Sequence, residues 1–270
     1  MNRYYSLALV LVAGLLSSQA VAEDAPKKLL LLAQGPDGHP AGTHEYVAGQ
    51  QVLRKCLAGV KGLETSIVRA DGDWPDGPQH LAKADGAVLF VSEGAKWLNA
   101  DPARRAAFAE LAKRGGGLSV IHWGMGTKDA AHIEPFVSLF GACHGGPDRK
   151  YKFLDTQVKI AAPDHPAMKG LKDFTIKEEF YYQLKQLPDA KGFTPLLTAT
   201  IDGADPMVSW AWQRPDGGRS FGYSGCHFHE NWSRPEYQRF LSQAVLWTLN
   251  ITPPTDSFPA EVTEADLKLK

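Results

Sequence analysis

Uninterrupted apolar runs alternate with helical periodicity through the first half of the chain. Lys28 to Ala33 and Ala87 to Val91 are two such runs, and Leu118 to Ile121 is a third, set behind the helix-stopping Gly115-Gly116-Gly117. Short runs without polar alternation are the pattern of strands buried on both faces. Between them, Tyr46, Val47, Val52, Leu53 and Leu57 recur at helical spacing from His44 to Leu57, with Gly59 to end the helix, and Leu63 to Arg69 alternates as a strand. Asp101-Pro102 supplies an N-cap and a first-turn proline for a helix running to about Arg114, and Ile133 to Phe140 reads as a short amphipathic helix. The alternation predicts an α/β domain built on a mainly parallel sheet flanked by helices.

The texture changes from Phe153 onward. Strand-like pieces at Phe153–Ile160, Phe180–Leu184, Thr194–Thr200, Met207–Arg214 and Ser220–Cys226 are separated by turn residues, and Pro215-Asp216-Gly217-Gly218 marks a hairpin between the last two. These extra antiparallel strands in the C-terminal half are expected as hairpin extensions or a second layer. Tyr237 to Leu249 closes the domain as a helix, and the charged stretch after Pro253-Pro254 reads as peripheral. The predicted organisation is a signal peptide over 1–22, a linker over 23–27, one domain over 28–252 and a tail over 253–270.

The signal-peptide reading rests on Arg3, the apolar core Leu7 to Leu16 and the small-residue site Ala20-Val21-Ala22. It predicts a periplasmic or secreted protein, with no stable membrane anchor because the apolar stretch falls short of the about 20 residues a spanning helix needs. The formal net charge of -1 becomes -2 once the single cation Arg3 is removed (-1 minus 1), and no Lys/Arg stripe is present, which excludes nucleic acid as a partner. Cys56, Cys143 and Cys226 allow at most one disulfide, with Cys143 and Cys226 the pair that could meet. Two buried thiols are the expectation.

Candidate chemistry concentrates at predicted strand ends, where open α/β sheets bind ligands. In Ser220 to Trp232 a strand runs into His227-Phe228-His229, and side chains two apart on a strand share a face, so both imidazoles are expected in one site. The loop Gln34 to Glu45 brings His39, His44 and Glu45. His122 follows the Gly-rich strand where a nucleophile elbow would carry Ser or Cys. Of the adjacent acids Glu178 and Glu179 only one can face inward, and Glu179 is favoured because it shares a face with Tyr181. His144 and Arg149 can orient an oxygen-rich substrate, while Trp97, Trp123, Trp210, Trp212 and Trp232 offer faces that stack on sugar rings. Each has a plainer reading: His44 neighbouring a helix start, His122 as a packing residue, the acids as solvated charges, the tryptophans as core.

Taken together, His39-Pro40-Ala41-Gly42-Thr43-His44-Glu45, Gly115 to His122, Glu178-Glu179-Phe180-Tyr181-Tyr182 and Gly217 to Trp232 resemble the trehalose-utilization (ThuA-like) domain over about Lys28 to Asn250. The resemblance implies a flavodoxin-like fold similar to class I glutamine amidotransferases, without their cysteine nucleophile, and a role in the catabolism of trehalose-like disaccharides and their 3-keto forms. Gly38-His39-Pro40 and Glu178-Glu179-Phe180 depart from the family's Ser-His-Gly and Asp-Glu-Trp, so substrate preference is expected to differ. The roles that follow are His122, Glu179 and His227 as catalytic groups; His144, Arg149, Tyr181, Trp123 and Trp232 as contacts to a small carbohydrate; and His39, His44, Glu45 and His229 as metal ligands. Zinc, manganese or iron would suit those ligands. The expected activity is of hydrolase, lyase or isomerase type, with or without a metal; a non-catalytic glycan-binding module with the same pocket is the alternative.

Overall fold

The computed structural model describes residues 25–188, 191–254 and 261–269. The signal-peptide segment lies outside them. The first half builds β1 (Lys27–Ala33), α1 (Tyr46–Leu57), β2 (Leu63–Arg69), α2 (Gly77–Ala82), β3 (Gly86–Leu89), α3 (Gly94–Asn99), α4 (Pro102–Lys113), β4 (Gly117–Ile121), β5 (Gly126–Thr127) and α5 (Ile133–Phe140). The second half adds β6 (Ala142–Gly145), β7 (Lys150–Ile160), β8 (Phe174–Tyr182), β9 (Lys185–Gln186), β10 (Phe193–Ala199), β11 (Met207–Gln213), β12 (Arg219–Tyr223) and α6 (Pro235–Thr248).

Among the described residues, nine strands form one sheet in the order β2-β1-β3-β4-β12-β11-β10-β7-β8, and β5, β6 and β9 form a small second sheet. The neighbours β2, β1, β3, β4 and β12 pair parallel. From β12 to β8 each pair is antiparallel. The apolar runs have the cause the pattern implied: Leu29 and Leu31 enter a core with Val52, Leu53, Phe240 and Leu241 of α1 and α6, whereas Leu30 and Leu32 enter another with Leu81, Leu98, Phe108 and Phe136 of α2 to α5. A strand covered on both faces has no polar side to show. Asp101 caps α4 by accepting the Ala103 N–H at 2.8 Å.

The structure decides between the alternatives for the C-terminal strands and corrects one strand end. The C-terminal strands do not make a separate layer, since they extend the main sheet and the last of them, β12, inserts beside β4 in its centre. Strand β12 ends at Tyr223 rather than Cys226, because Cys226 takes φ +80° and turns the chain out of the sheet. The short helices α2 and α3, too brief to show a period, carried no sequence signal. All three cysteines are free and buried, and Cys143 Sγ donates to the Met125 carbonyl at 3.1 Å.

The alternation of directions sets the site. Strands β1, β4, β12 and β8 all run toward one edge of the sheet, and β7, antiparallel to β8, starts there. The loops after β1, β4 and β12, the end of β8 and the start of β7 therefore converge on a single crest.

Candidate functional site

His44, His122, Glu179 and His227, all buried, bring one donor atom each to that crest. His44 Nε2 lies 3.1 Å from His122 Nε2 and 3.1 Å from His227 Nδ1. His227 Nδ1 is 3.3 Å from His122 Nε2 and 2.9 Å from Glu179 Oε2, and Glu179 Oε2 is 3.4 Å from His122 Nε2. The outer nitrogens of two rings are already committed: His122 Nδ1 donates to the Ser224 carbonyl at 2.7 Å, and His44 Nδ1 to Asp37 Oδ2 at 3.1 Å. Both Nε2 atoms are therefore lone pairs aimed at each other, an arrangement that repels unless a proton or cation sits between them.

The donor set fits a metal ion. With bonds of about 2.0–2.1 Å a tetrahedral zinc site has donor-to-donor edges of about 3.3 Å, and the five separations above run from 2.9 to 3.4 Å. Three imidazoles and a carboxylate also suit manganese or iron.

Local backbone strain holds the rings inward. His44 has φ +53° and His122 has φ +49°, left-handed conformations that cost non-glycine residues about 1–3 kcal/mol each. At His122, as the elbow position implied, that turn projects the side chain from the end of β4 into the crest. Behind His44, Asp37 also accepts from Tyr46 Oη at 2.6 Å and from His39 Nδ1 at 2.7 Å. Burial alone would raise the Asp37 carboxyl, but hydrogen bonds from His44, Tyr46 and His39 hold it well below the usual carboxylate range. Glu179 behaves alike: burial opposes its charge, and the His122 and His227 rings beside it hold it below the usual carboxylate range. Burial lowers His44 to about 4 against the pull of Asp37, which keeps its imidazole neutral and able to ligate.

Glu178 faces the other way and is fully buried. Its carboxylate accepts the backbone N–H groups of Cys226 at 3.0 Å, His227 at 3.1 Å and Glu179 at 2.8 Å, the side chain of Asn231 at 3.0 Å and the hydroxyl of Tyr237 at 2.5 Å. It is a clamp for the loop that carries His227, and its separation from Glu179 by strand alternation is the expected one. Burial of both acids is not: each face of β8 here is interior.

A cleft of about 270 Å³ opens onto the cluster, lined by His39, His44, Trp123, Lys128, His144, Arg149, Tyr151, Phe153, Glu179, Tyr181 and His227. Tyr181 lies sandwiched between His144 and His122, ring centroids 3.9 and 4.5 Å away, with its hydroxyl 3.0 Å from His122 Nε2. Burial, with help from the Arg149 charge, lowers His144 to about 3. A larger hollow of about 680 Å³ lies at the opposite end of the sheet, but its cations Lys27, Arg114 and Arg219 are already bonded to Asp85, to carbonyls and to Gln213. The cleft at the crest, with its buried donor cluster, is the candidate site.

Three predicted site residues lie elsewhere. His229 does not share a face with His227, because the two stand in a loop and a 3-10 turn rather than on a strand, and its Nε2 meets the Leu267 carbonyl at 3.1 Å. Glu45 accepts the Gly42 N–H at 2.9 Å beside the start of α1 instead of joining the cluster. Trp232 is buried against Gly49 and Phe90. His39 is outside the four-donor set; it stacks on His44 at 3.7 Å and forms a second donor group with Asp37 and His44. Sequence reasoning missed Asp37, Tyr46, Tyr151 and Phe153, and weighed Glu178 without its role as a clamp. Asp37 had a signal, standing two residues before His39 where an aspartate bonds its own loop; the others read as ordinary helix and strand positions.

The model of the ThuA family, described as trehalose utilisation, matches residues 38–248. The chain belongs to this family. ThuA-like structures share its fold: one from Bacteroides uniformis, 18% identical, superposes with a TM-score of 0.63 over 85% of this chain and 94% of its own, and one from Parabacteroides merdae, 17% identical, with 0.64 over 90% and 99%. A GH42 β-galactosidase from G. stearothermophilus, 11% identical, matches at 0.53 over 85% of this chain and 31% of its own. No curated protein matches the sequence. Membership of the ThuA family points to a carbohydrate-related role.

Proposed function

We propose that the protein is a metal-dependent carbohydrate-processing enzyme acting on a disaccharide or keto-sugar by hydrolase, lyase or isomerase chemistry. The observation that carries this reading is the pair of imidazole lone pairs of His44 and His122 converging at 3.1 Å with His227 and Glu179 around them. Those four residues would hold a divalent ion, which when bound polarises a sugar oxygen or lowers the pKa of water. Asp37 fixes the His44 ring, and Ser224 fixes that of His122. His39, half-exposed and anchored through Nδ1 to Asp37, has its other nitrogen available to take or give a proton beside the substrate. Trp123, Tyr181 and His144 form a buried aromatic wall of the cleft, and Arg149 and Lys128 supply donors for hydroxyl oxygens.

The mature chain is proposed to be exported, on the strength of the Met1 to Ala22 pattern. Elemental analysis of purified protein, followed by incubation with trehalose, other disaccharides and their 3-keto forms with and without chelator, tests the main reading. About one divalent ion per chain and chelator-sensitive product formation are expected. Full activity in chelator with no bound metal removes the metal; sugar binding with no product in long incubations points instead to a glycan-binding module.

A further inference from the structure

Tyr151 and Phe153 stand out in a molecule that otherwise hides its large apolar side chains. They are 54% and 52% exposed, and only Leu269 in the tail joins them as an exposed large hydrophobic among the described residues. Strand alternation alone does not explain them, since a solvent-facing β7 position is normally polar. Their register does locate them: Phe153 pairs with Glu179 and Tyr151 with Tyr181, so both stand on the strand positions directly beside the cluster, and both line its cleft. The Phe153 ring packs edge-on against His227 at 5.0 Å, and Tyr151 meets Phe153 at 6.3 Å with the planes at 90°.

We infer that Tyr151 and Phe153 form an aromatic platform for two successive sugar rings, making this a site for disaccharides or longer glycosides rather than monosaccharides. The inference rests on the carbohydrate reading above and extends it to substrate length. The two ring centroids stand 6.3 Å apart with their planes perpendicular, so one pyranose ring cannot lie flat on both and each aromatic ring takes its own sugar unit. A sugar unit against Phe153 sits next to His227 and hence at the metal-ligating atoms; the next unit reaches Tyr151, away from them. Aromatic faces suit this because pyranose rings present C–H groups on one side and hydroxyls on their rim. Lys128, Arg149 and His144 line the same cleft and offer donors to that rim. Occupation by the ring of a substrate accounts for what burial within the fold does not.

Calorimetry on the metal-loaded protein, with glucose, trehalose, maltose, cellobiose and the 3-keto disaccharides as probes, tests this. Wild type is expected to bind at least one disaccharide about tenfold or more above glucose, Tyr151→Ala to lose about tenfold for that disaccharide with glucose unchanged, and Tyr151→Phe to stay within about twofold. Phe153→Ala should weaken both sugars and Phe153→Trp should restore them. Metal content equal to wild type shows that the variants are folded. Disaccharide binding by wild type that both alanine variants retain overturns the platform and leaves the carbohydrate reading standing. Failure of metal-loaded wild type to bind any probe overturns both. A drop in oligomer mass on Tyr151→Ala also overturns the platform, by making it a contact between copies of this chain.

Discussion

Glu178 accepts the backbone N–H of His227 at 3.1 Å, and the next residue on the same strand, Glu179, meets the His227 ring at 2.9 Å. Two adjacent acids thus hold one histidine from opposite sides, the first through its main chain and the second through its imidazole. The strand's alternation makes the division of labour unavoidable: one carboxylate enters the packed layer, the other the cleft.

Glu178→Gln should therefore damage the protein more than its isosteric shape suggests. All the groups around Glu178 are donors, and a glutamine amide would aim an N–H at some of them and withdraw the charge from the rest. A loss of at least about 3 kcal/mol of stability is expected from the donors left unsatisfied, read as a lower urea midpoint. Metal affinity should fall with it, because the His227 loop loses its clamp.

Asp37→Asn acts at a distance from the ion. The three donors now gathered by one carboxylate would face a single amide oxygen, and His44 would lose the partner that fixes its tautomer. Metal affinity is expected to drop about 10–100-fold while the fold is kept, measurable by competition titration with a chromophoric chelator. Unchanged affinity would show that His44 is oriented without Asp37.

His229→Ala should leave metal content at the wild-type level. Its ring is turned toward the Leu267 carbonyl and away from the four donors. The expected effect is looser attachment of residues 261–269, seen as faster proteolysis of the C-terminus. Loss of bound metal from this variant would contradict the placement of His229.

Stability should fall as the solution is acidified below about 6.5, well before carboxylates titrate. His144 is lowered to about 3 and His165 to about 4, both mainly by burial, with the charges of Arg149 and Arg219 adding to it. The unfolded chain takes up these protons near 6.5 and the native chain does not, so native stability is intact above that value and declines from there toward pH 4 and 3. The slope approaches about 1.4 kcal/mol per pH unit for a fully buried imidazole, or a melting point lower by about 3–6 °C per unit. His144→Phe, which keeps a ring against Tyr181, should flatten part of the slope in thermal scans.

Gly222→Ala tests the packing under the motif rather than its chemistry. A Cβ there would run into the Trp210 ring, which cannot retreat because its Nε1 donates to the Phe140 carbonyl at 2.8 Å. Overpacking of this kind costs about 1–3 kcal/mol, and a thermal melt equal to wild type would show that the indole has room to move.

The sequence by itself determined the fold class and most of the strands and helices. Uninterrupted runs such as Leu29 to Ala33 could only be strands covered twice, Asp101-Pro102 could only open a helix, and Pro215 to Gly218 could only turn a hairpin, because each signal is local and acts through burial, capping or backbone freedom. His44, His122, Glu179 and His227 were legible as candidates for the same reason, standing at strand ends. Which of the histidines would meet was decided by the tertiary structure. His227 and His229 parted because a left-handed Cys226 ended the strand, and Cys226 takes that turn where its N–H reaches a carboxylate 48 residues earlier. Phe153 and Glu178 gained their roles only when β7 and β8 brought them to the loop that carries His227, since a hydrogen bond or a ring contact depends on distance in space, and spacing along the chain carries no record of it.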